Sequence, residues 1–313
     1  MWLDLYWRKK ARRLLEAYRR LKRSDRQEAI RQFEKRFGHP PDLECPSTWN
    51  EKLTCFKLDA DKPIFRDLAD KLTVRRFVTE RIGNEHLIPL LASGATLTRD
   101  MFDLLPPQFV IKANHGSAMN KIVRDKRDVN YKNLKKETDR WLTRNFYMGS
   151  RETQYCNISP FIVVEKLMLD ENGEIPKDYK IHCFDCQGNK RFIVQVDSDR
   201  FNGHVRDYYT SDWERICLTV KYPNSQKAAS LKKPPALNDL IKIADVLSQG
   251  FSYVRVDLYA ISGKVYFGEM TFTPGSGFER FVPHSMDEKW GEWFDLPRQL
   301  SLQTQADLDS PVL

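Results

Sequence analysis

Apolar side chains recur at helical spacing at the start of the chain. Leu3, Trp7, Leu14, Leu15, Tyr18 and Leu21 are separated by arginines and lysines. This predicts a basic amphipathic helix over 3–22. A Pro-rich stretch, 38–50, ends that segment. Phe65, Leu68, Leu72, Phe77, Val78 and Ile82 then predict one helix from Pro63 to Ile82, with Gly83 as its stop. Further helices are expected over 131–147 and 238–249. In the first, Leu134, Trp141, Leu142 and Phe146 face inward. The second has Asn238 as N-cap and Gly250 as its stop.

Period-two alternation marks the strands. Phe109, Ile111 and Ala113 alternate with Val110, Lys112 and Asn114, and the run ends at His115-Gly116-Ser117. A second strand, 121–124, follows at once. Residues 161–167 read as a buried strand that ends in charge. The strand 178–184 is expected to pair with 191–196. A surface connection over 221–236 leads to the helix at 238. Past it, Val254, Val256 and Leu258 alternate with Arg255, Asp257 and Tyr259. Ser262-Gly263 is a turn, and Val265, Phe267, Glu269 and Thr271 return with one shared face. From Gln303 the pattern stops, and a frayed tail is expected.

Composition narrows the class. The chain has 313 residues, of which 41% are hydrophobic, so it is globular and long enough for about two domains. It lacks a run of about 18 apolar residues and a visible signal peptide, which predicts a cytoplasmic protein. Six cysteines then read as free buried thiols. Cys183-Phe184-Asp185-Cys186 is a lone CxxC in a strand-like run, too few ligands for structural zinc. Of the net charge of +8, residues 1–37 supply all, with 13 Lys/Arg against 5 Asp/Glu. The basic character therefore belongs to the first helix. Its tryptophans and tyrosine suit the surface of an anionic membrane, and a helix packed on the body with its basic face in water fits equally well. No nucleic-acid signature accompanies the charge.

The chemistry concentrates in the last hairpin. Pairing its strands lets Asp257 and Glu269 meet on one surface beside Arg255. Two carboxylates and an arginine on an otherwise apolar hairpin are costly to bury without a partner. A hard cation such as Mg²⁺ is a natural one, since it takes one or two carboxylates plus phosphates. By itself the hairpin also reads as a half-solvated surface element. Lys112 near a strand end, followed by a small-residue loop, can place an ammonium and backbone N–H groups around phosphate. It is not a Walker A loop. Asp178, Lys180, His182 and Phe184 share a face. Gly275 and Gly277 allow a ligand to approach the backbone closely.

Six stretches in order carry a resemblance: W-N-E-K-L (49–53), D-K-L-T-V-R-R-F-V (70–78), F-V-I-K-A-N-H-G-S (109–117), D-Y-K-I-H-C-F (178–184), R-V-D-L-Y (255–259) and F-G-E-M-T-F-T-P-G-S-G (267–277). Together they resemble the TupA-like ATP-grasp family of bacterial surface-polysaccharide biosynthesis. The resemblance implies an α+β fold in which two subdomains grip ATP. The expected division is a helical segment 1–60, a small subdomain 61–164, a larger one 165–302 and a tail 303–313. It implies ATP and Mg²⁺ as cofactors. Lys71, Lys112, His115, Gly116, Ser117, Asp178 and Lys180 would meet the nucleotide, with Glu165, Lys166 and Leu167 as the hinge beside adenine. Asp257 and Glu269 would hold metal. Thr271 would be a third, weaker metal ligand, standing where the superfamily usually has Asn. Arg255 and Lys180 would be catalytic. Arg200 and the loop Pro274, Gly275, Ser276 and Gly277 would meet the acceptor.

The implied activity is amide formation between a uronic acid of a glycan and an amino acid. The basic segment 1–30 would hold the enzyme at the inner face of an anionic membrane. The alternatives left open are a sugar phosphotransferase, a glycosyltransferase and a non-catalytic scaffold.

Overall fold

The computed structural model describes Trp7, Tyr18 and residues 22–198, 203–225 and 231–308. The helix expected over 3–22 and the expected acceptor residue Arg200 fall largely or wholly outside these. Among the described residues no helix is long and apolar enough to cross a membrane.

Two sheets organise the chain. The smaller is built from β1 (Leu90–Gly94), β2 (Phe109–Ala113), β3 (Asn120–Val123) and β4 (Ile162–Lys166), in the order β1-β4-β2-β3. Leu97, Phe102, Phe109, Ile111, Leu134 and Ile162 form its own core. Further along the chain come β5 (Asp178–Cys186), β6 (Asn189–Ser198), β7 (Val205–Thr210), β8 (Arg215–Ile216), the short β9 (Thr219–Val220), β10 (Tyr253–Ile261), β11 (Lys264–Thr271) and β12 (Phe281–Val282). The larger sheet runs β11-β10-β5-β6-β7-β8, all antiparallel, and β9 pairs with β12.

The helices Trp49–Leu58, Pro63–Ala69 and Val74–Ile82 pack into the core of the larger sheet, not the smaller one. The expected boundary at residue 61 is therefore corrected: the cores divide nearer residue 90. The reason is the aromatic content of these helices. Phe65 meets Phe56 and Phe272 edge-on, with centroids 4.8 and 5.1 Å away. Trp49 is fully buried against Trp290 at 5.5 Å. A capping box starts the first of these helices: Thr48 Oγ1 accepts from the Glu51 N–H, and Glu51 accepts from the Thr48 N–H at 3.1 Å. Asn50 then donates to Asp287 and to the Glu279 carbonyl, each at 2.8 Å, which ties this helix to the C-terminal part of the fold.

Two expected helices differ in outline. The run 63–82 is broken at 70–73, where the Asp70 side chain accepts from the Leu72 N–H at 2.8 Å and turns the chain. Such local side-chain bonds compete with helix. The run 131–147 stops at Leu142. The helix over 237–248 begins at Leu237, so Asn238 lies inside it and gives no cap. Near the C-terminus, Gln305–Leu308 forms a 3₁₀ turn with Leu308 buried beside Gly250, so chain expected to fray from 303 is packed as far as 308.

The candidate active site

The hairpin β10–β11 holds the acidic pair. Asp257 lies directly opposite Glu269, and Arg255 opposite Thr271. Then the register shifts, and Leu258 faces Phe267. The bulge at Gly268 moves Val265 and Phe267 to the buried face with Leu258. They do not share a face with Glu269 and Thr271, as unbroken alternation predicted. Glycine suits the close approach of the strands there. A Cβ on residue 268 would stand 3.0 Å from the Asp257 carbonyl oxygen and 3.1 Å from the Tyr259 ring. One residue of slip thus lets an apolar strand end in two polar side chains.

A cavity of about 270 Å³ lies between the two sheets. Its lining includes the apolar Ile88, Val110, Ile122, Leu167 and Met168. It also includes the charged Lys71, Lys112, Lys180, Asp178, Asp257 and Glu269. Gly116, Ser117, Glu165 and Lys166 also line it. Residues from opposite ends of the chain meet here because the break at 70–73 swings Lys71 toward the loop after β2. Lys71 Nζ donates to the Gly116 carbonyl at 2.7 Å and lies 3.9 Å from Glu269. Gly116 leaves no room for a side chain, since a Cβ would fall 2.7 Å from the Phe146 ring.

The charges are paired. Lys112 donates to Glu165 at 2.6 Å. Lys180 bridges Asp178, at 2.7 Å, and Asp257. Arg255 grips Asp257 with two bonds, at 2.6 and 2.8 Å, and gives a third, at 3.1 Å, to Thr271. Burial works to lower the Lys180 pKa, but Asp178 and Asp257 outweigh it and raise it, so this ammonium stays charged. Burial lowers Lys71, with Lys112 adding to the effect and Glu269 opposing it. For Glu269 burial acts upward, yet Lys71, Lys180 and Arg255 together hold it below the ordinary carboxylate range. Its side chain remains 42% exposed, open to a ligand, whereas Asp257 is 1% exposed.

A model of the TupA-like ATP-grasp family matches residues 51–295. The chain belongs to the TupA-like ATP-grasp family. This places it in the ATP-grasp superfamily. Among solved structures it is similar to an L-amino acid ligase from Bacillus licheniformis, at 14% identity and a TM-score of 0.44, over 89% of this chain and 62% of that one. It is also similar to a D-alanine–D-alanine ligase from Helicobacter pylori, at 16% identity and a TM-score of 0.40, over 74% of this chain and 60% of that one. The chain thus spans less than two thirds of either structure. No curated protein matches it.

Several expected site residues of this TupA-like ATP-grasp chain stand elsewhere. His115 is buried, and its Nε2 meets the Arg144 carbonyl at 3.1 Å, outside the cavity wall. Burial lowers its pKa. The imidazole therefore braces the loop after β2 and is not among the groups facing the cavity. Thr271 spends its hydroxyl on Arg255, and neither residue lines the cavity. Pro274, Gly275, Ser276 and Gly277 are likewise absent from the wall. Gly277 sits on the helix Trp49–Leu58, and the Ser276 carbonyl accepts from Lys57 at 2.9 Å.

Pattern reading passed over this last group. Lys57 is fully buried, and Glu152 accepts from Thr273, which in turn accepts from Gln154 at 2.8 Å. The signal for Lys57 is its position: Asn50, Leu53 and Lys57 follow one another at helical spacing on the buried side. The lone CxxC is unpaired, with Cys183 buried and Cys186 half-buried on opposite faces of β5.

Proposed function

We propose that this ATP-grasp protein is a Mg-ATP-dependent ligase that joins a carboxylate to an amine through an acyl phosphate, and that it attaches an amino acid to a uronic acid of a bacterial surface polysaccharide. One observation carries the nucleotide part. Lys71, Lys112 and Lys180, from three separate parts of the chain, converge with Asp257 and Glu269 on one cavity that apolar side chains also line. An apolar slot suits a purine ring, and clustered ammonium groups suit polyphosphate.

The donor set fits a hard cation. Glu269 is partly exposed beside Asp257, and both offer oxygen only. Mg²⁺ takes such carboxylates in ones and twos and fills its remaining positions with phosphate and water. Among the described residues no group of three or more His, Cys, Asp or Glu is placed to hold a metal ion. Glu269 would hold the ion, and Asp257 would join it on exchanging Arg255 or Lys180 for the metal; the ion when bound would neutralise phosphate charge and polarise the transferring group.

The chain's own cations do the rest. A substrate carboxylate oxygen attacks the γ-phosphorus, and the bond to ADP breaks. Lys71, Lys112 and Lys180 neutralise charge on the equatorial and leaving oxygens. The amine nitrogen then attacks the acyl carbon, loses a proton, and expels phosphate. Arg255 stands behind the cavity wall, bonded to Asp257 and Thr271 and 3.6 Å from Glu269, and acts by holding these two carboxylates in place. The loop at Gly116 and Ser117 excludes water, which protects the acyl phosphate. The basic segment 1–30 would keep the enzyme near an anionic membrane and a lipid-proximal glycan.

The test is a product assay with MgATP, a uronic-acid oligosaccharide and a pool of amino acids, with Glu269→Ala as control. The reading expects ADP, phosphate and an acceptor heavier by an amino acid less water. A gain of one phosphate instead would mark a sugar phosphotransferase. No turnover and no ATP binding would remove the nucleotide reading. Deleting residues 1–21, which leaves the packed helix Asp25–Phe37 whole, should lower binding to anionic vesicles while ATPase activity persists; unchanged vesicle binding would end the membrane reading.

A further inference from the structure

The Lys112–Glu165 pair has a third member. Glu165 Oε1 lies 3.3 Å from a terminal nitrogen of Arg75, while Oε2 accepts from Lys112 at 2.6 Å. The other terminal nitrogen of Arg75 donates to the Ile88 carbonyl at 3.0 Å. Arg75 rises from the helix Val74–Ile82, which belongs to the core of the larger sheet, whereas Glu165 and Lys112 stand on neighbouring strands of the smaller one. Glu165 and Lys112 line the cavity, and Arg75 stands behind them.

This arrangement has an electrostatic consequence. Glu165 is 7% exposed, a buried carboxylate on the wall assigned to the nucleotide. Facing polyphosphate, it repels. Lys112 can turn from Glu165 to a phosphate oxygen only if it does not leave an uncompensated buried anion behind, which is strongly unfavourable. Arg75 is the cation that stays. Its planar fork reaches the carboxylate with one nitrogen and is anchored on a backbone carbonyl by the other, so it does not follow the lysine.

We propose that Arg75 is a positioning residue for the nucleotide: it keeps Glu165 neutralised, so that Lys112 is free to exchange the carboxylate for phosphate. The inference rests on the nucleotide reading above and adds to it a residue that touches no ligand.

Calorimetric titration of the full chain with MgADP tests it, using the wild type, Arg75→Ala, Arg75→Lys, Glu165→Gln and the Arg75→Ala/Glu165→Gln pair. Arg75→Ala should weaken MgADP by about tenfold or more, as expected for coupled charges in one network. Arg75→Lys should recover part of this. Glu165→Gln should abolish most of the loss, because without the anion the arginine has nothing to neutralise. A purely structural role would not be relieved in that way. Should Arg75→Ala not fold, Arg75→Gln, which can still donate to the Ile88 carbonyl, takes its place in the same cycle. Equal affinity in wild type and Arg75→Ala, or a loss of the same size with Glu165→Gln present, overturns the inference alone. No MgADP binding by the wild type overturns the nucleotide reading and this inference with it.

Discussion

Asp257 and Glu269 are direct cross-strand partners, and the bulge at Gly268 is what allows it. The two carboxylates differ in their surroundings. Asp257 is buried and gripped by Arg255 and Lys180, while Glu269 is open toward the cavity. Glu269 is thus the carboxylate available to a ligand. Glu269→Gln keeps the shape and removes the charge. It should cost about 10²-fold or more in kcat, in the range seen when one electrostatic contact to a transition state is removed. ADP release under saturating MgATP measures it, and an unchanged thermal midpoint would show that the fold is intact. Undiminished turnover would exclude Glu269 from the site.

Gly116 packs under Phe146 with no space for a methyl group. Gly116→Ala should destabilise the chain by about 1–3 kcal/mol, the usual cost of overpacking. It should also displace the carbonyl that Lys71 binds. Combined with Phe146→Gly it should cost less than the sum of the two single losses, because that change removes both Phe146 atoms, Cβ and Cγ, that the methyl group meets. Denaturant melts of the single and double variants check this, and additive losses would contradict it.

His182 is fully buried between Tyr253 and Gln195. The Gln195 amide donates to Asp197, so its oxygen accepts from His182 Nε2, and Nδ1 accepts from the Tyr253 hydroxyl. Burial, with Arg255 adding to it, lowers the imidazole pKa well below its ordinary value. In the unfolded chain the pKa is about 6.5. Below that pH the unfolded state takes up a proton that the native state does not, so stability falls as pH falls. The slope for one such proton approaches about 1.4 kcal/mol per pH unit. Urea melts between pH 8 and pH 5 should show the decline, and His182→Asn should lack this share of it. Identical pH slopes would mean that His182 titrates normally in the fold.

The cysteines give a simpler test. Cys45, Cys156 and Cys217 are exposed, whereas Cys183 is buried, with its pKa raised by burial to about 12. A thiol-disulfide exchange reagent should label those three first and reach Cys183 only on unfolding. Early labelling of Cys183 would mean that β5 opens locally.

Much of this was legible in the order of residues. Alternation marked the strands at 109–113, 178–186 and 253–261, because a half-buried strand must separate polar from apolar side chains by one position. The pairing of Asp257 with Glu269, and of Lys180 with Asp178, was likewise within reach of strand periodicity. Motif order pointed to the family. What local pattern could not supply was anything that depends on distant chain. The bulge at Gly268 flipped the apolar half of β11, since the alternation rule assumes an unbroken ladder. The break at 70–73 followed from an aspartate bonding its own backbone, and it turned Lys71 into the cavity. His115 and the loop 274–277 carried suggestive residue types, yet packing against Arg144 and the helix Trp49–Leu58 took them away from the cavity wall. Arg75 lies within the stretch 70–78, and only the fold set it behind Glu165. The sequence by itself determined which strands and charges exist, because periodicity is a local property of the chain. The tertiary structure decided which charges share one cavity, because the free energy of a buried charge is set by neighbours that lie far away along the chain.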